Sequence, residues 1–276
     1  LSRGLGDVYK RQTVGYSANA LGGAGGPLAV LIIAIVAAEL GKAVSKETKV
    51  DILVTPLVTI FAGVGLSMLI AAPIGAAASQ VGTLIMWATE QAPLVMGILV
   101  SVIVGVALTL PISSAAICAA LGLTGLAGGA AVAGCCAQMV GFAVMSYKEN
   151  GVGGLVSQGL GTSMLQMGNI IKNPRIWIAP TLASAITGPL ATCLFHFEMN
   201  GAAVSSGMGT CGLVGQIGVY TGWVSDIAAG TKAAITPMDW AAMVLLCFVL
   251  PAVLSVVFCE VERKLGWIKE GDLKLN

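Results

Sequence analysis

Charge is what this sequence lacks most. Asp, Glu, Lys and Arg make up 10% of the 276 residues, against about 25% in a typical soluble domain. A soluble chain of this length needs a polar surface over its core, and the residues to build one are missing. Histidine is almost absent too: His196 is the only one, which excludes the usual multi-histidine zinc sites. The net charge of +1 comes with no basic stripe and no basic–aromatic interleaving, so nothing points to nucleic acid. There is no CxxC pair, no G-x-S-x-G elbow and no persuasive Ser-His-Asp set. Neither a catalytic constellation nor a metal or cofactor motif is therefore expected. The seven cysteines (Cys118, Cys135, Cys136, Cys193, Cys211, Cys247, Cys259) lie inside apolar runs. They read as small core residues rather than a disulfide framework.

What is present is apolar: 57% of the chain. The few charges are clustered, leaving charge-free runs at residues 52–89, 91–147, 176–197, 199–225 and 240–259. About 20 mainly apolar residues carry a helix across the hydrocarbon core. The expectation is an all-α, polytopic integral membrane protein whose solvent is the lipid bilayer. Six to eight transmembrane helices are expected, with one or two re-entrant hairpins and one amphipathic helix. Residues 1–12 (LSRGLGDVYKRQ) are polar and differ abruptly from the chain after them. They read as a non-native, adapter-derived tail, which would set the natural start upstream and leave at least one helix missing. Residues 13–260 then form one membrane domain, and 261–276 a charged cytoplasmic tail.

Along the chain, residues 18–40 form a first span, opened by Gly22, Gly23, Gly25, Gly26 and Pro27. A short loop with Lys42, Lys46 and Lys49 comes next. Residues 52–72 form a second span stopped by Pro73, and 74–88 a shorter element bounded by Glu90 and Pro93. Residues 94–110 cross next and end at Pro111. Residues 112–145 are apolar but glycine-broken, as for a half-helix, a turn and a full helix. In 147–173, Val152, Leu155, Val156, Leu160, Met164, Met167 and Ile171 recur at three- and four-residue steps, opposed by Gln158, Thr162, Gln166 and Asn169. That is an amphipathic helix, either lying in the interface or lining an aqueous cavity. Asn173 and Pro174 open a new element, and residues 178–194 form a span containing Pro180, Gly188 and Pro189. Residues 195–223 are Gly-rich, 226–239 a polar loop, and 240–259 the last span, with a kink at Pro251. Lysines 42, 46 and 49 favour a cytoplasmic first loop, and Arg263, Lys264, Lys269 and Lys274 a cytoplasmic C-terminus.

Two features carry the functional reading. The run Gly207-Met208-Gly209-Thr210-Cys211-Gly212 matches G-x-G-x-x-G, but a dinucleotide site needs a preceding strand and a βαβ unit. Glycines at 209, 212, 215 and 218 instead form one smooth face for close helix approach. The second feature is Glu198, the only charge between Arg175 and Asp226, beside His196. A carboxylate near mid-membrane costs about 2.5–3.5 kcal/mol, so such a residue usually binds something. At i, i+2 spacing the two side chains share one side only of an extended segment. Phe195-His196-Phe197-Glu198 thus reads as a non-helical stretch facing a cavity, with Asn200 in support; the alternative is a hydrated surface loop. Ser205, Ser206 and Thr210 are candidate ligand donors, or else bond to backbone only. Gln138 reads as packing and Glu90 as a loop residue.

The stretches Gly159-Leu160-Gly161-Thr162-Ser163-Met164-Leu165-Gln166, Lys172-Asn173-Pro174-Arg175-Ile176-Trp177-Ile178-Ala179-Pro180 and Thr187-Gly188-Pro189-Leu190 resemble the membrane subunit (enzyme IIC) of bacterial sugar phosphotransferase systems. The likeness is to the divergent family-2 branch, which includes proteins named as regulators of perfringolysin production. The resemblance implies a sugar permease of the bacterial cytoplasmic membrane, moving its cargo by an inverted or elevator-like mechanism. It also implies a homodimer and cytosolic IIB and IIA partners that carry the phosphoryl group. In that family a Gly-rich re-entrant hairpin follows an Asn-Pro-led helix, and a glutamate and a histidine bond sugar hydroxyls. Glu198 and His196 correspond by type and position. The G-I-T-E-P signature is absent, the glutamate here sitting in His196-Phe197-Glu198-Met199-Asn200-Gly201. A non-sugar carrier, or a sensor or regulator on the same fold, are the alternatives.

Overall fold

The computed structural model describes residues 26–45 and 51–275. The tail at 1–12, Gly22, Gly23 and Gly25 at the head of the first span, and Lys46 and Lys49 of the first loop lie outside the described residues. Every element is helical, and the described residues contain no strand, only an isolated bridge between Gly125 and Met199. Four helices among them are long and apolar enough to cross a bilayer: Leu53–Gln91, Gly125–Met145, Pro174–Leu194 and Pro237–Lys264, with the shorter Pro93–Thr109 beside them. Two compact units divide the chain, at residues 1–82 and 83–276.

In the first unit, α1 (Gly26–Val44) runs antiparallel to the start of α2 (Asp51–Gln91). Ala29 and Ile33 pack with Ala71, Ile70 and Ile74 at one end. At the other, Gly41 lies against the Thr59 side chain. The expected stop at Pro73 does not occur. One 41-residue helix runs through both Pro56 and Pro73, about 62 Å long and twice the hydrocarbon thickness. Each proline removes one ladder bond, but in apolar surroundings breaking the helix would strand more backbone groups than continuing it.

The second unit is built on α5 (Gly125–Met145), which is buried along nearly its whole length. Around it stand α3 (Pro93–Thr109), α8 (Ile178–Pro189) and α11 (Leu250–Lys264). Small residues make the close approach possible. A Cβ on Gly134 would collide with the Ser101 carbonyl of α3, and one on Gly105 would lie 2.7 Å from the Gly134 carbonyl oxygen. Ser101 and Ser184 hydroxyls fasten the contact through the Ser184, Pro180 and Gly134 carbonyls. The expected half-helix, turn and full helix are present. Helix α4 (Ser114–Leu121) ends at Gly122 in the left-handed conformation, and α5 comes after it.

Of the three prolines expected to interrupt or kink spans, Pro180 is accommodated in the first turn of α8, and Pro189 and Pro251 each adjoin a wide turn. A π-helical turn at Leu190–Leu194 follows Pro189, and another at Leu245–Val249 joins α10 (Pro237–Val244) to α11 just before Pro251. Such bulges take up the mismatch in the hydrogen-bond ladder that a proline creates.

Residues 147–173 overturn the expectation of a single amphipathic helix with a solvated polar side. The segment is broken into α6 (Tyr147–Val156), a π turn (Ser157–Gly161), a 3-10 turn (Ser163–Gln166) and α7 (Met167–Lys172). Its polarity is inside out. Val152 is 63% and Ile171 72% exposed, whereas Gln158 and Gln166 are fully buried. Most of the polar side is covered, Gln158 by its own neighbours and Gln166 and Asn169 by the C-terminal residues, while Asn169 also borders a cleft of about 440 Å³. The Gln166 side-chain amide donates to Gln158 and to the Leu273 carbonyl, and Asn169 to the Lys274 carbonyl. Leu275 N–H donates to Asn150, and Leu273 N–H to Glu149, which also pairs with Arg263. Leu273 and Ile268 are buried with Phe142, Met145 and Ile176. The charged tail is thus a docked strap.

Candidate functional site

The second unit has two ends. Helix α5 starts at Gly125, which exchanges backbone hydrogen bonds with Met199, and finishes beside the strap. The continuous helical run Pro174–Leu194 that contains α8 goes the opposite way, starting at Asn173, whose side chain donates to the Trp267 carbonyl. Helices α10 and α11 return from Asp239 to Lys264.

Residues 203–228 dip into this unit and come back. Ser206 donates to the Leu123 carbonyl near the start of α5. Gly209 lies so close to α5 that a Cβ there would be 2.7 Å from the Cys135 Cβ. Thr210 Oγ1 reaches the Gly159 carbonyl at 2.5 Å and Met139 Sδ at 3.6 Å. From Leu123 to Met139 is about 24 Å along a helix. The turn uses left-handed Gly209, Gly212 and Leu213. Helix α9 (Val214–Ala228) then climbs back, Gln216 meeting Cys136 and Gly222 packing on the Asn200 and Gly201 backbone. This is a re-entrant hairpin. Gly209, Gly215 and Gly218 of the expected smooth face are tightly packed, while Gly212 meets only the Val214 side chain at ordinary contact distance and serves the turn.

Between α8 and the hairpin, residues 195–200 are non-helical. Phe197 and Met199 are buried in a cluster with Val132, Val219, Trp223 and Leu246. His196 and Glu198 alternate with them and are exposed, and Asn200 is half-buried. His196 holds a left-handed φ of 44°, which turns the chain out of α8.

His196, Glu198 and Asn200 line a cleft of about 700 Å³ together with Trp223, Asp226, Lys232 and Asp239. The Asn200 side-chain nitrogen donates to Glu198 Oε2 at 3.0 Å and to Asp226 Oδ2 at 2.9 Å, bridging two carboxylates with one amide. Lys232 Nζ pairs with Asp239 Oδ1 at 2.8 Å and stands 5.2 Å from the centre of the Trp223 ring. Asp239 is fixed by a reciprocal capping box with Thr236 at the start of α10, and Trp223 by an edge-on contact with Trp240 at 5.7 Å. The cleft therefore presents three carboxylates, one engaged ammonium, an amide and an indole. Such a set offers many acceptors for hydroxyl or ammonium donors and an apolar wall. Among the described residues no cluster of three His, Cys, Asp or Glu side chains is placed to hold a metal.

The six sequence candidates separate. Glu198, His196 and Asn200 share the cleft. Ser205, Ser206 and Thr210 lie in the hairpin, buried, with Ser206 and Thr210 bonded to backbone carbonyls. Trp223, Asp226, Lys232 and Asp239 were not singled out by the sequence. Residues 226–239 read there as a polar loop, whereas α9 extends through Asp226 and α10 begins at Pro237. Thr236 three residues before Asp239, with Pro237 between them, is a capping signature that could have marked the helix start. Gln138 is satisfied by Trp177, Thr109 and Thr181 within the packed helices. Glu90 is exposed in the last turn of α2.

No curated protein and no solved structure matches the chain. The model of one family, described as "Phosphotransferase system, EIIC", matches residues 8–275. An all-helical, multi-pass membrane chain with a re-entrant glycine hairpin, matched over nearly its whole length, belongs to the EIIC family of phosphotransferase-system membrane subunits.

Proposed function

We propose that this permease subunit binds a sugar in the cleft around Glu198 and passes it inward, for phosphorylation by a separate IIB subunit. The observation that carries the reading is the convergence of Glu198 and Asp226 on Asn200 beside the Trp223 ring. Carboxylates accept several hydroxyl hydrogen bonds at once, and the buried Trp223 backs the cleft as an apolar wall.

The distribution of charge supports an orientation. Lys148, Lys172, Arg175, Arg263, Lys264, Lys269 and Lys274 lie in or beside the strap end of the second unit. Among the described residues of that unit, Lys232 alone stands at the cleft end. By the positive-inside rule the strap end is cytoplasmic and the cleft opens outward, in the membrane of a bacterial cell. Loading then occurs from outside, and cytosolic IIB and IIA act at the opposite face.

A thermal-shift screen of the detergent-solubilised chain against sugars, vitamins and organic acids tests this, because ligands of the native state raise its melting temperature. Stabilisation by sugars supports the reading. Stabilisation by vitamins or organic acids alone makes it a non-sugar carrier, and no stabilisation by any of them favours a regulator.

A further inference from the structure

We infer that the cleft selects its sugar by charge, favouring one that carries an ammonium group and rejecting acidic sugars. This rests on the cleft being the sugar site. Two separate observations converge on it.

The first is that the cleft already holds an ammonium, its own. Lys232 Nζ sits 2.8 Å from Asp239 Oδ1 and 5.2 Å from the Trp223 ring centre. A carboxylate and an indole together make a favourable cation subsite. The second is that, among the described residues, no cation joins the other two carboxylates. Glu198 and Asp226 both accept from the one Asn200 nitrogen, at 3.0 and 2.9 Å. Their oxygens are thus less than about 6 Å apart, a separation at which like charges repel inside a Debye length. A neutral amide donates two hydrogen bonds there but cancels no charge. An ammonium on the substrate would be attracted to both acids at once, and a substrate carboxylate or phosphate would be repelled by the same two, the charge of Asp239 being balanced by Lys232. A neutral sugar falls between, using hydroxyl donors only.

Each charge contact in so open a cleft is modest, but two acting together correspond to about tenfold in affinity. The expected order is amino sugar, then neutral parent, then uronic acid. The amino–neutral gap should shrink at high salt, where exposed charges are screened, and at a pH high enough to deprotonate the sugar amine.

The test uses the full chain in nanodiscs and matched probe sets. Glucose, galactose and mannose would each be offered as the neutral sugar, the 2-amino sugar and the uronic acid. Binding is measured by calorimetry at low and high salt and at neutral rather than acidic pH, because the His196 imidazole also lines the cleft and imidazoles gain charge in acid. The expected result, in the framework that binds, is about a tenfold preference for the amine, with little or no uronate binding. Asp226→Asn should reduce the amine-to-neutral ratio, with folding checked by size-exclusion profile. The salt dependence of the wild-type ratio gives the same information without a variant. Equal binding of neutral and acidic members, or a salt-independent ratio, overturns charge selection and leaves the sugar site standing. Binding by no member of any set counts against the sugar site, and this inference falls with it.

Discussion

Replacing Glu198 by Gln keeps the size of the side chain and removes only its charge. In the wild type one oxygen accepts from Asn200 at 3.0 Å, and the rest of the carboxylate's acceptor capacity remains in the cleft. Hydrogen bonds to a charged group contribute about 1.5–3 kcal/mol and neutral ones about 0.5–1.5. Losing the charge from one substrate bond should therefore weaken binding by about 1–2 kcal/mol, or roughly 5–30-fold in Kd. Stability should barely move, since an exposed substitution away from packing features stays within about 0.5 kcal/mol. Calorimetric titration with the stabilising sugar from the ligand screen, and uptake by cells expressing each form, measure the effect. The melting temperature without ligand confirms that the variant folds. A folded Glu198→Gln protein with wild-type affinity and uptake would refute the assignment of this cleft as the binding site.

The strap makes a different prediction: Leu273→Ala empties a fully buried position and should cost about 2–5 kcal/mol locally, seen as faster proteolysis of the C-terminus and a lower melting temperature. Gly134→Val drives a side chain into the Ser101 carbonyl and should abolish monodisperse expression, whereas Gly153→Ala, with open space around it, should be silent. Thr210→Val removes the tie between the hairpin tip and the Gly159 carbonyl, costing about 1 kcal/mol; hydrogen exchange at residues 209–213 should rise while the rest of the unit is unchanged. Single cysteines at Thr231 and Lys269, in a background lacking Cys193 and Cys211, should react with a membrane-impermeant maleimide on intact cells and only after permeabilisation, respectively; the reverse pattern would invert the orientation.

Composition alone made the membrane class legible, because 52–89 and 91–147 hold no charge at all and no soluble surface can be made from such runs. That residues 195–198 leave the helix was legible too, but not how: the sequence suggests an extended run, whereas His196 turns the chain through a left-handed φ of 44°. The course of α2 was not. A proline read singly predicts a break, but whether the helix goes on depends on whether the freed backbone group has water to turn to. Residues 147–173 misled for a related reason. Periodicity gives the presence of two faces but not which one is covered, and the cover over Gln166 and Asn169 comes from residues about 105 positions later. Trp223, Asp226, Lys232 and Asp239 joined the cleft only through the return of the hairpin, a contact that no local pattern encodes.

That distant strap imposes an order on biosynthesis. Gln166 finds its partner in Leu273, 107 positions later. At about 5–20 residues per second, the ribosome needs roughly 5–20 s to supply it. Throughout that interval the amides of Gln166 and Asn169 must be hydrated or shielded by the insertion machinery, so this edge of the nascent protein stays unfinished until residues 273–274 have emerged. A stop codon just after Lys264 would leave the candidate spans among the described residues intact and this edge permanently open, a ready mark for quality-control proteolysis.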